Sequence, residues 1–123
     1  MTTAYWCVLV AALLPYLATL TAKGGVRFDN RNPRAWLAQL TGWRARANAA
    51  QLNGFEAFPL FAVAVLVAEQ LHAPQARIDA LAIVFVAARL AYLGAYLADL
   101  ATLRSLAWFI GIGSAVAIFV SGA

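Results

Sequence analysis

No charged residue precedes Lys23, and three later stretches of the chain are also apolar over lengths that can cross a bilayer. A transmembrane helix needs about 20 predominantly apolar residues. Four such spans are expected, at about 3–22, 45–71, 78–98 and 105–122. Only 11% of the 123 residues are charged and 64% are hydrophobic. A soluble domain carries about 25% charged residues, so this chain cannot build a water-facing surface. The expected fold class is therefore all-α and integral to a membrane, a four-transmembrane-helix bundle. Residues 1–123 form a single domain, and the spans leave only short connections. A secretory signal peptide would need a basic segment ahead of the first apolar run, which is missing, so the first run reads as a retained span.

Local signals place the connections. Pro15 is expected to bend the first span by freeing the carbonyl of Ala11. Gly24-Gly25 breaks that helix. Asn32-Pro33 disfavours helix just before the proline, and PRAWLAQL after it suits a short interfacial helix, with Trp36 and Trp43 at headgroup depth. HAPQAR, residues 72–77, forms the second connection, and Asp99 to Arg104 the third. Trp6 and Trp108 read as interface anchors. Gly111, Gly113, Ala115, Ala117 and Ser121 give the last span small residues suited to close helix contact, including contact between subunits.

The net charge of +4 matters through its placement. Lys23, Arg27, Arg31, Arg34, Arg44 and Arg46 gather in and beside the first connection, and Arg104 ends the third. The second connection sets Arg77 against Glu69 and Asp79. The positive-inside rule puts connections one and three in the cytoplasm and both termini on the opposite side. The basic loop then faces anionic lipid, so membrane lipids are its expected partner and nucleic acid is not.

Several chemistries are excluded. Cys7 stands alone, so neither an intrachain disulfide nor a cysteine metal site is available. His72 is a single histidine in a turn and reads as solvated. No metal-ligand cluster, phosphate loop or Ser-His-Asp set is present.

Two ionisable residues fall at bilayer depth, where each costs roughly 2.5–3.5 kcal/mol on insertion scales. Glu56 lies about 11 residues into span two, and Arg89 about 10 residues from the end of span three, so both sit ~15 Å from the basic side. A Glu56–Arg89 pair is the economical expectation, within one chain or between subunits. Arg46, Asn53 and Glu56 share one face of span two. Arg89, Tyr92 and Tyr96 share one face of span three, continued by Asp99. These two polar stripes beneath a basic loop describe a cleft suited to an anionic small molecule with many hydrogen-bonding groups. The competing reading of the same residues is that they hold helices together.

The stretch RARANAAQLNGFEAFPLFAVAVLVA, Arg44 to Ala68, resembles the signature of the MAPEG superfamily, the membrane-associated proteins in eicosanoid and glutathione metabolism. Its core here is A-Q-x-N-x-x-E-x-x-P-x-F, from Ala50 to Phe61. ARLAYLGAYLADLATLRS, Ala88 to Ser105, is similar to that family's third helix and the start of its fourth. The resemblance implies a homotrimer that binds glutathione as co-substrate between subunits at the cytoplasmic side. It carries glutathione contacts onto Arg46, Asn53, Glu56, Tyr92 and Tyr96, and thiolate stabilisation onto Arg104. It gives Arg89 a largely structural role and leaves Lys23, Arg27 and Arg31 as candidates for a further basic contact. Mammalian transferases of the family have arginine just before the core alanine, where this chain has Ala49; Arg44 or a loop arginine would have to replace it.

The implied activity is that of a glutathione transferase or peroxidase acting on a lipophilic small molecule from the membrane. No metal is implied, and for a bacterial-type member the location is the inner membrane. The alternative on the same fold is a non-catalytic lipid-binding or scaffold protein. A small four-helix drug exporter would need an acid in the first span, which this chain lacks.

Overall fold

The computed structural model describes all of residues 1–123. Five helices follow in order: α1 Thr3–Lys23, α2 Pro33–Ala38, α3 Gly42–Gln70, α4 Gln75–Leu97 and α5 Ala101–Val120. All but α2 are long and apolar enough to cross a membrane.

The ends of these helices follow local chemistry. The Thr2 side chain caps α1 by accepting from the Tyr5 N–H. At the other end Gly24 donates back to the Leu20 carbonyl, and Gly25 takes a left-handed φ of 74° that suits glycine. Asn32 caps α2 through the Ala35 N–H, with Pro33 opening the helix where no backbone donor is needed. α1 runs unbroken through Pro15.

The helices reach past the expected spans. α3 begins at Gly42, α4 at Gln75 and α5 at Ala101. The connection expected over Asp99–Arg104 is only Ala98–Leu100, turned by a left-handed Asp99 (φ 60°), and Arg104 already donates its N–H to the Leu100 carbonyl. Charged residues end the apolar stretch without ending the helix, because a first turn projecting into the headgroup region tolerates them.

α1 packs along α3 and α4 along α5; contacts of α4 with α1 and α3, and of α3 with α5, close the bundle. The interior is built from small residues around a few large ones. Ala11, Ala57, Ala64, Ala68, Ala82 and Ala115 are buried, and Phe61 stacks on Phe85 with centroids 3.9 Å apart. Leu20, Leu66, Ile83, Leu90 and Phe109 face outward. This inverts a soluble protein, as expected where lipid removes the drive to bury apolar side chains and helices associate through close packing. Cys7 is a free thiol in this core.

A polar clasp ties the end that carries the termini. The Asp79 carboxylate accepts the Ala4 N–H at 2.9 Å, Glu69 accepts the Thr2 hydroxyl at 2.6 Å, and the Gln75 amide donates to both carboxylates at 2.9 and 3.0 Å. Three helices meet there. The orphan Ala4 N–H of α1 is satisfied there by Asp79, a side chain some seventy residues away in sequence.

Candidate functional site

The polar residues at the opposite, basic end form a ladder on α4 and α5. Residues three and four apart share a helix face, which aligns Arg89, Tyr92 and Tyr96 along α4. The Arg89 guanidinium lies over the Tyr92 ring at 4.2 Å. Tyr92 meets Tyr96 edge to face at 5.6 Å, and Arg104 of α5 covers the Tyr96 ring at 4.6 Å. Each cation faces the negative side of an aromatic quadrupole, so the order cation, ring, ring, cation is attractive at every step. Tyr92 is also buried against Ala50 and Ala107, which joins α3, α4 and α5 at this level.

α3 contributes its stripe unevenly. Arg46 donates from Nε to the Tyr96 carbonyl at 3.1 Å and from Nη2 to the Leu97 carbonyl at 3.2 Å. It therefore caps the C-terminus of α4, where a cation also answers the helix dipole. Asn53 presents a buried Oδ1 with no hydrogen-bond partner. An acceptor left this way costs about 1–3 kcal/mol, which marks the position as one that a donor would occupy favourably. Glu56 is exposed.

The structure thus brings together Arg46, Tyr92, Tyr96 and Arg104, while Asn53 and Glu56 make no hydrogen bond to them. It does not join Glu56 to Arg89 in an ion pair within one chain. The two are level in depth but differ in azimuth: Arg89 points into the bundle at 8% exposure, while Glu56 lies on the outer face of α3. Asp99 leaves its stripe, because α4 has ended and the chain has turned. Arg27 and Arg31 stand apart as well. Both are exposed and line a separate depression with Phe28, Asp29 and Trp36, where Asp29 accepts the Arg31 N–H at 2.9 Å.

Arg44, the possible substitute for the arginine missing at Ala49, is occupied elsewhere. Its Nη1 donates to the Ala22 carbonyl at 2.9 Å and the Gly24 carbonyl at 2.6 Å, closing α1, and its guanidinium stacks on Trp43 at 4.3 Å. Neither capping role is visible in sequence; the only hint is that two arginines in the first two turns of one helix suit the C-terminal ends of its neighbours. No group of three or more His, Cys, Asp or Glu is arranged to hold a metal ion.

Chemically, the ladder offers two fixed guanidinium groups and two phenols beneath a basic loop, and α3 separately carries an unpaired amide oxygen. Such a set can bind carboxylates and donate hydrogen bonds to a thiolate. No curated protein matches the chain. The model of the MAPEG family matches residues 3–123, nearly the whole length. With four bilayer-length apolar helices and no strand, the chain is an integral membrane helical bundle, and it belongs to the MAPEG family.

Proposed function

We propose that this protein binds glutathione at the basic end of the bundle, between subunits of a homotrimer, and transfers it to lipophilic electrophiles drawn from the membrane. The observation that carries this reading is the Arg104–Tyr96 stack, which holds a permanent cation over a phenol ring at the basic end of the ladder. The unpaired Asn53 oxygen on α3 adds a buried acceptor without a donor. Arg46, Asn53, Glu56, Tyr92 and Tyr96 would contact the tripeptide, with Arg27 or Arg31 reaching in from the loop. Arg104 would favour the thiolate over the thiol. The thiol proton leaves to solvent, the sulfur forms a bond to the electrophilic carbon, and the leaving group departs with its electron pair. On a hydroperoxide the thiolate instead takes the distal oxygen and releases the alcohol; a second glutathione then forms the disulfide with loss of water.

Glu56 supports assembly. A carboxylate exposed at bilayer depth costs roughly 2.5–3.5 kcal/mol, and burial against a second copy, beside that copy's arginine, would relieve it. The clustered basic residues support a cytoplasmic placement of the first connection, termini on the opposite side, and residence in a bacterial inner membrane.

The test is the ultraviolet thiolate absorbance of purified protein mixed with millimolar glutathione. The proposal expects a thiolate band that Arg104→Ala abolishes. A second reading, a lipid-binding scaffold, is favoured by one feature: a wholly apolar groove between α4 and α5, lined by Val84, Ala91, Leu103 and Ile110 among others. That reading expects a copurifying lipid, no thiolate band and no turnover with electrophiles.

A further inference from the structure

Pro15 has no N–H, so the Ala11 carbonyl one turn earlier lacks the donor that a regular helix supplies. Ala11 and Pro15 line a small cleft enclosed by α1, α3 and α4. Gly54 makes room on the α3 wall, since a Cβ there would stand 2.8 Å from Pro15 Cγ. Phe85, Arg89 and Tyr92 form the α4 wall.

Arg89 is more than nine-tenths buried as a residue and lines this cleft; it makes no hydrogen bond within the chain, and its guanidinium nitrogens keep some accessible surface. One wall thus carries unpaired donors and another carries an acceptor without its helical partner. The space between is ≈ 20 Å³. About 10–15 Å³ on this measure holds one water molecule, so a tripeptide or a lipid headgroup is too large.

We propose that the cleft is a binding site for a single structural water, which accepts from the Arg89 guanidinium and donates to the Ala11 carbonyl, with the Tyr92 phenol as the remaining polar group on the wall. The water hydrates a charge that lipid would otherwise penalise and ties α1 to the Arg89–Tyr92 stack. The site shares Tyr92 with the proposed glutathione contacts, and the water is expected in the protein without glutathione.

A crystal structure of the full chain in lipid, resolved well enough to show waters, tests this. The proposal expects a density peak at hydrogen-bonding distance from both Arg89 and the Ala11 carbonyl. It expects the peak to vanish in Arg89→Met, which removes the donors, and in Pro15→Ala, which returns an N–H to the carbonyl. An empty cleft, a peak that survives both substitutions, or a bromide anomalous signal at Arg89 after halide exchange would each overturn it. Should the variants fail to fold, solid-state NMR of the unmodified protein in bilayers decides. Water magnetisation reaching the Arg89 Nε–H faster than the neighbouring Phe85 and Leu93 amides supports the site, and transfer no faster than to those amides contradicts it.

Discussion

Arg46 on α3 donates from Nε to the main-chain carbonyl of Tyr96 on α4, across 3.1 Å. Two residues expected to meet a ligand are therefore bonded to each other first, and the position of Tyr96 depends on Arg46. Arg46→Ala removes both bonds to the end of α4 and should cost about 1.5–3 kcal/mol. The expected outcome is a lower thermal unfolding midpoint in detergent. Arg46→Lys should recover part of the loss, since an ammonium group can still serve one carbonyl.

The clasp at the other end makes a separate claim. Asp79→Ala strips α1 of the acceptor for the Ala4 N–H and leaves Gln75 with Glu69 alone. A loss of about 0.5–2 kcal/mol is expected, as for other helix N-caps. Amide exchange should accelerate in the first turn of α1 and stay unchanged at Tyr92 and Tyr96. Asp79→Asn keeps an acceptor oxygen and should behave close to the original.

Gly54 lets α3 approach the ring of Pro15. Gly54→Ala places a methyl 2.8 Å from Pro15 Cγ, and the ring is too stiff to yield easily. Overpacking of this kind costs about 1–3 kcal/mol. Combining it with Pro15→Ala should restore part of the stability, and a double-mutant cycle on thermal midpoints measures that coupling.

The Arg104–Tyr96 contact uses the ring rather than the hydroxyl. Tyr96→Phe should therefore keep Arg104 in place and Tyr96→Leu should release it, a difference of about 0.5–2 kcal/mol. Comparing how strongly the two variants support glutathione thiolate formation separates the stacking role from any hydroxyl role.

The sequence shows depth more readily than direction. Charge-free runs and the Gly24-Gly25 and Asn32-Pro33 signals locate the helices, because insertion energy and backbone geometry are local properties. The level depth of Glu56 and Arg89 follows from counting residues. Which way each points follows from helix rotation, which is set by packing with α1 and α5 that no count supplies; one turns in and the other out. The α4–α5 turn was hidden for a related reason. Arg104 looks like a loop charge, yet its N–H is already committed to the Leu100 carbonyl. Arg44 and Arg46 were legible as a basic cluster but not as caps, since a cap needs a neighbour's open carbonyls and sequence does not say which helix ends beside them.

The most direct test of the central claim is equilibrium binding of glutathione to the purified protein in lipid nanodiscs. The account predicts saturable binding at millimolar concentration or below, weakened about tenfold or more by Asn53→Ala and by Arg104→Ala and unaffected by Arg77→Ala, an exposed arginine at the far end of the bundle. No binding at millimolar glutathione, or binding insensitive to Asn53 and Arg104, would contradict it.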